Sequence, residues 1–456
     1  MMHRMNERIV RSITTIFVIV LISLFVVGVV QAVGGELIWT DELHIAGGSS
    51  SVMVVAVDGG RVFAAGFASP NNGDLLVRAY DGKTGALLWQ DQYDRANQPD
   101  NALAIAAAMG KVFVAGLAAD ASGEADFLVR AYDGKTGALL WQDQYDAAGG
   151  WDVAASIVVH GGRVFAAGQA MMPGGNSDFL VRAYDAKSGQ LLWHDRVDKA
   201  GGSNAFDIAN AITVEGSRVF AVGYVTNAAG NYDFYVRGYD AKSGAVLWEN
   251  QRDKGGSGGD RGLTITAANG RIFAAGDTSD SLGNTDILVR TFNAESGLLI
   301  WETYYDHAGF FDWAISIVEY GGRVFVAGQV REFAFVPDFF VQAYDAATGE
   351  ILWQDQHDIA GSTDDARAIT AAGGFVFAAG GGWNAAGNTD FLVRAYDAVT
   401  GALQWQDQLD RGAGNDYAHA IMAKGGHVFA AGFDQEAGTG FPGTHSDFVA
   451  RAYDAE

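Results

Sequence analysis

The chain of 456 residues contains no cysteine and only five prolines, and its 30 basic residues are outnumbered by 54 acidic ones. Without a thiol there is no disulfide staple, no cysteine nucleophile, no thiolate-bound metal and no lipid on an N-terminal cysteine. A formal charge of −24, with no Lys/Arg cluster beyond the N-terminus, excludes a nucleic-acid or anionic-membrane surface. Catalytic signatures are missing as well: there is no Gly-x-Ser-x-Gly elbow, Walker loop or His-Glu zinc motif. The nine histidines show no paired ligand spacing. His160, His419 and His427 fall in strands or hairpin turns, where a surface role is the default expectation.

What is present begins with an address. Arg4, Arg8 and Arg11 precede an uncharged run from Ile13 to Val30, and "VQA" at residues 30–32 has the small-residue spacing of a signal-peptidase site. Residues 1–32 are therefore expected to be a signal peptide and the protein to be exported, periplasmic or extracellular. The apolar run is also just long enough to span a bilayer, so residues 13–30 are alternatively an uncleaved membrane anchor.

Beyond it the chain repeats. Trp39, Trp89, Trp141, Trp193, Trp248, Trp301, Trp353 and Trp405 recur every 50 to 55 residues, and each unit holds four short β-type runs separated by Gly-, Asn- and Asp-rich turns. No helical period appears after Val30. Four antiparallel strands at this period make a propeller blade, whose apolar faces are buried only by neighbouring blades. The eighth copy breaks off at "RAYDAE", and its missing half stands at the other end of the chain, as "GGELIWTDELHIAGG" from Gly34. The expectation is one all-β domain over residues 36–456, an eight-bladed propeller closed by the N-terminal strand as the outer strand of the last blade, and a monomer.

The recurring residues have architectural explanations. A Trp in every outer strand suits packing between blades. "GGR" and "D-x-x-[S/T]-G" are hairpin turns. Arg before "AYD", present in seven units and replaced by Gln342 in one, is expected to pack against Trp or the following carboxylate. The "AYDAxTGxLLW" signature resembles the repeat of pyrroloquinoline-quinone (PQQ)-type propellers, a family that includes quinoprotein alcohol dehydrogenases and the periplasmic scaffold of outer-membrane protein assembly. "DFLVRAYD" is also similar to short bacterial β-propeller repeats. The resemblance implies the fold; for activity it leaves both a scaffold and a PQQ-dependent dehydrogenase open, the latter holding its cofactor beside a metal and commonly under a disulfide of adjacent cysteines.

Two features single out the face that carries the longer loops. Seven of the eight loops entering a blade carry two aspartates, such as Asp306 with Asp312 and Asp358 with Asp364. Such pairs cap turns, and as a secondary reading hold Ca²⁺. Aromatic residues also break the repeat there: Trp151, Trp383, and in the sixth unit "HAGFFDW" and "VREFAFVPD", which bring Phe310, Phe311, Trp313, Phe333 and Phe335 together with Arg331 and Glu332. These rings either close a wider blade or form a patch for a protein, peptide or glycan. The sequence reading is accordingly a non-catalytic exported scaffold without cofactor, with a PQQ- and Ca²⁺-dependent dehydrogenase and a carbohydrate-binding propeller as the alternatives.

Overall fold

The computed structural model describes residues 34–456 apart from 46–47, 70–72, 200–204, 255–258, 281–282, 334–335, 359–362, 411–413, 436–445 and 456. The expected leader at residues 1–32 lies outside the described residues, and no helix among the described residues is long and apolar enough to cross a membrane.

Eight four-stranded antiparallel sheets make up the described chain. In blades 1 to 7 the strands follow in sequence order, as in blade 7 with Asp365–Ala372, Phe375–Trp383, Thr389–Asp397 and Leu403–Leu409. Blade 8 holds Tyr417–Lys424, His427–Gln435 and Ser446–Asp454, and its outer strand is Leu37–Leu43 from the N-terminal end. Thr40 pairs with Arg451 and Leu43 with Phe448, and backbone bonds from Gly35 N to Asp454 O and Asp454 N to Glu36 O extend the ladder. This seam removes two sheet edges at once.

The repeat residues hold neighbouring blades together. Each indole packs on a glycine of the next blade, which in six of the eight junctions ends an Asp-x-x-[Ser/Thr]-Gly turn. A Cβ on Gly349, at φ +76°, would stand 2.6 Å from the Trp301 ring, and one on Gly35 would stand 2.5 Å from that of Trp405 across the seam. From Trp39 to Trp353 the indole Nε1 donates to a turn carbonyl of the next blade, as Trp89 does to Gly134 O at 3.2 Å. The turn Asp caps its own hairpin: Asp133 Oδ1 accepts from the N–H groups of Lys135 and Thr136 and from Thr136 Oγ1.

The repeated Arg does something different from what the sequence suggests. In six blades it pairs with a carboxylate on the outer strand of the preceding blade, as Arg182 does with Asp143 at 3.1 Å, while Tyr184 Oη donates to the same carboxylate at 2.8 Å; in blade 5 Arg290 meets the Asn250 amide there and pairs with Glu302 of its own blade. The carboxylate following it in sequence is already engaged by the turn. The exception at Gln342 is explained by its neighbour, because the outer-strand position facing blade 6 is Thr303 instead of Asp, and Gln342 serves Tyr344 and Gln354 within its own blade.

Candidate active site

The first strand of each blade touches the first strand of the next around the ring, so these strands line the axis. All eight share one irregularity. Opposite the strand stands a glycine of the second strand, and in blade 7 a Cβ on Gly380 would lie 1.9 Å from the Asp365 carbonyl oxygen. That close approach accompanies a bulge, a register shift between Ala366 and Ala368 that leaves Arg367 out of the ladder. A bulge re-aims one side chain while the strand continues. The bulged residue is Met53, Leu103, Ala155, Leu263 or Ile315 in five blades and Asn210 in blade 4, but Arg367 in blade 7 and His419 in blade 8. Two positions before it, blades 1 to 4 carry Ser51, Asn101, Val153 and Ile208, whereas blades 5 to 8 carry Arg261, Trp313, Asp365 and Tyr417. The axial surface thus departs from eightfold symmetry on one side.

Between blades 7 and 8 these side chains form a connected cluster. Arg367 Nε donates to Asp365 Oδ2 at 2.8 Å, its Nη1 lies 3.3 Å from His419 Nδ1, and its guanidinium stands 4.6 Å from the centre of the Tyr417 ring. Guanidinium nitrogens only donate, so His419 Nδ1 accepts and the imidazole carries its proton on Nε2. Burial, and then Arg367, push the His419 pKa down to about 4. The rings of Tyr417, His419 and Phe433 pack around one another. Gly381 permits this, since a Cβ there would meet Tyr417 Cε1 at 2.3 Å. Asp365 is 7% exposed, and its Oδ1 lacks a formed hydrogen bond among the described residues. Burial raises its pKa, and Arg367 only partly offsets that.

Blades 5 and 6 carry polar and aromatic groups of their own at the matching axial positions. Arg261 grips Asp277 through Nε and Nη2, the latter at 2.7 Å. Asp277 is fully buried, and desolvation pushes its pKa up to about 6 against the pull of Arg261. In blade 6 the Arg331 guanidinium stands 5.3 Å from the Trp313 ring and 5.7 Å from that of Phe311. Trp313 Nε1 and Gln329 Nε2 are buried N–H groups with no hydrogen-bond partner among the described residues, and Gln329 is itself buried. Buried donors left unmade are costly, about 1–3 kcal/mol each, and native structures keep few of them.

Of the residues singled out in the sequence, Phe311, Trp313 and Arg331 come together as described, with Phe310 half-buried beside Phe311. Trp383 is half-buried at the end of its strand, where its backbone N–H is bound by Asp364. Trp151 is 50% exposed on blade 3, apart from this group, and its carbonyl accepts from Gln169. Phe335 lies outside the described residues, as does the side chain of Phe333, whose backbone pairs with Val336. The loop aspartates act as caps: Asp312 accepts from the N–H groups of His307 at 2.6 Å and Arg331 at 3.0 Å, and Asp306 from that of Gly309 at 2.8 Å. Asp364 is buried, and Asp358 borders the undescribed residues 359–362. Desolvation lifts Asp312 to about 7 and Asp100, Asp152 and Asp207 to about 6. His419, given a surface role from sequence, belongs instead to the half-buried axial cluster. Sequence reasoning also passed over Arg261, Asp277, Asp365, Arg367 and Tyr417. Superimposing the units on the loop Asp marks the positions one and three residues later, which hold Arg261, Asp365, Arg367 and Tyr417, as variable; Asp277, on the second strand, has no such signal.

Comparison with known proteins gives three findings. The family model described as outer membrane protein assembly factor BamB matches residues 25–233 and again 232–440. Tetrathionate hydrolase of Acidithiobacillus ferrooxidans is 24% identical over 251 residues, 52% of this chain; the match spans 46% of that enzyme, less than half its length. The fold is similar to quinohemoprotein alcohol dehydrogenase ADHIIG of Pseudomonas putida HK5 (TM-score 0.59, 16% identity, 92% of this chain and 76% of that one). It is also similar to the quinohemoprotein alcohol dehydrogenase of Comamonas testosteroni (0.59, 13%, 93% and 77%) and to a europium-containing methanol dehydrogenase (0.57, 12%, 92% and 93%). These findings correct the sequence reading. The expectation of a non-catalytic scaffold is overturned, because the curated relative and the similar structures are enzymes. The expectation of no cofactor falls with it, since those structures are, by name, quinoproteins or metal-containing.

The axial cluster fits one of the two implied groups. The chemistry a planar polycarboxylate such as pyrroloquinoline quinone requires, a cation beside an aromatic ring, is present in Arg331 with Trp313 and in Arg367 with Tyr417. A Ca²⁺ or lanthanide ion does not fit the described residues: no three His, Asp or Glu side chains converge, and Asp277 is held by Arg261.

Proposed function

The chain belongs to the family described as outer membrane protein assembly factor BamB, and within that fold we propose that it is an exported enzyme, an oxidoreductase of the quinoprotein type acting on a small alcohol at the axial cluster of blades 5 to 8. The observation that carries this reading is the constellation of Asp365, Arg367, Tyr417 and His419 at axial positions of blades 7 and 8, where blades 1 to 4 carry no charged residue.

Within the cluster Asp365 is the proton acceptor. Arg367 holds Oδ2 and fixes the carboxylate plane, and Oδ1, buried and without a formed hydrogen bond among the described residues, is the oxygen left to accept a proton. Arg367 is itself oriented by His419 and the Tyr417 face, so its charge stays beside the carboxylate as the proton arrives. Trp313, Gln329 and Arg331 supply the flat, cationic wall against which a quinone is held; when bound, that group supplies two-electron oxidation. Purified protein loaded with pyrroloquinoline quinone, with and without Ca²⁺, is expected to show a bound chromophore and dye-linked alcohol oxidation. Asp365→Asn should keep the chromophore and lose about a hundredfold or more in kcat. Full activity in Asp365→Asn refutes the assignment. The match to tetrathionate hydrolase supports a second reading, hydrolysis of a sulfur oxyanion with Asp365 activating water and Arg367 and Arg331 attracting the anion. Turnover of tetrathionate without added quinone would select it.

A further inference from the structure

Away from the axis, on the hairpin-turn side, the seam between blades 8 and 1 holds a cavity of about 280 Å³ lined by Val57, Gly82, Lys83, Lys424, His427 and Phe429, with neighbouring turn glycines. It arises from His427, smaller than the Arg, Lys or Phe that opens the second strand elsewhere, and from Gly82, where all other blades but blade 2 carry alanine. The second strand opens with Arg in five blades, and at the junction of blades 5 and 6 Arg271 Nη1 reaches across to Ala346 O at 2.9 Å, the carbonyl that also accepts from Trp301. At the seam the corresponding carbonyl belongs to Gly82, which accepts from Trp39 at 3.2 Å but has no methyl, and the corresponding side chain is His427, which turns back to its own Gly425 O at 3.0 Å. The space an arginine would fill stays open above Phe429, which is buried against Trp39.

Charge at this place runs against that of the molecule. Lys83 holds the turn position occupied by Lys135, Lys187 and Lys242 in blades 2 to 4 and by Glu295 in blade 5, where Arg218 faces it at 3.6 Å. Lys424 stands opposite, giving one of its three donors to Val57 O at 2.8 Å. No carboxylate lines the cavity, although the chain carries a net charge of −24. An apolar floor under two ammonium groups selects an anion with an apolar body. The volume lies at the lower edge of the ligand-pocket range, roughly 300–1,000 Å³, which restricts the guest to a small one.

We infer that the seam cavity is a binding site for a small aromatic or aliphatic carboxylate, with Lys83 and Lys424 as the anion contacts and Val57 and Phe429 as the floor. It is separate from the axial cluster and does not depend on the reaction assigned there.

The test is calorimetric titration of the full chain with benzoate, alongside benzyl alcohol as the uncharged analogue. Benzoate is expected to bind at millimolar or lower concentration, and about tenfold or more tighter than benzyl alcohol. His427→Arg, which restores the side chain of the other blades, should abolish the heat while leaving the melting temperature unchanged or higher. Lys83→Gln, an exposed change that leaves the cavity open, should bring benzoate down to the level of benzyl alcohol. Absence of benzoate binding, equal affinity for the two compounds, or binding that survives either substitution overturns the inference.

Discussion

Nη1 of Arg367 lies 3.3 Å from Nδ1 of His419, so a permanently charged group donates to an imidazole and keeps it neutral. Burial is the larger cause of its depressed pKa and the guanidinium the second. A histidine NMR titration is therefore expected to show one imidazole that stays neutral until about pH 4. Its midpoint should rise in Arg367→Gln and fail to appear in His419→Gln. The stability this group contributes is complete above its unfolded value, near 6.5, and is lost as pH falls towards 4. An imidazole titrating near 6.5 at this position would disprove the contact.

The buried loop carboxyls work in the opposite direction. Asp100, Asp152 and Asp207 have folded pKa values near 6 and Asp312 near 7, above the unfolded 3.8, mainly because burial disfavours the charged form. Groups raised in this way favour the folded state fully below about pH 4 and withdraw that contribution as pH rises through 6 to 7. The melting temperature should accordingly rise by several degrees between pH 8 and pH 5, until the loss from His419 and the paired carboxylates sets in. Asp312→Asn should flatten the upper part of the profile. A melting temperature that falls steadily from pH 8 to pH 5 would contradict these environments.

Two glycines in the same blade separate backbone strain from steric fit. Gly349 and Gly322 have φ of +76° and +77°, but a Cβ on Gly349 would strike Trp301 whereas one on Gly322 meets nothing within 4 Å. Both alanine variants share the strain of a left-handed alanine, about 1 kcal/mol. Gly349→Ala should cost about 1–3 kcal/mol beyond that, as overpacking against the indole does. Equal unfolding free energies by denaturant titration would show that the glycine–tryptophan stack does not hold the blades.

The altered junction at blade 6 invites a double-mutant cycle. Gln342 is fully buried. Gln342→Arg alone places a guanidinium opposite Thr303 without the carboxylate that six other junctions provide, at a cost of about 3–5 kcal/mol. Adding Thr303→Asp rebuilds the pair seen between Arg182 and Asp143 and should recover most of that loss. Simple additivity of the two changes would refute the inter-blade pairing as the reason for the exchange.

The number of blades, the four strands in each and the pairing of residues 37–43 with the last blade were legible in the sequence, because tryptophan recurs every 50 to 55 residues and the half-motif from Gly34 complements the one before Asp454. The caps at the hairpin turns, and one half of each loop aspartate's role, were legible because their partners lie only a few positions away, as His307 does from Asp312; the other half, the N–H of Arg331 on the second strand, was not. The partners of the repeated Arg were not, since Arg182 and Asp143 stand 39 residues apart in different blades and meet only when the blades pack. Nor was the axial cluster. Asp365, Arg367 and His419 look like ordinary strand residues in sequence, and the bulge opposite Gly380 together with closure of the ring is what turns them towards one another. Local propensity acts over a few residues and so specified each blade, whereas charge pairing, desolvation and the shape of the axial surface depend on distances between blades, which only the assembled ring defines.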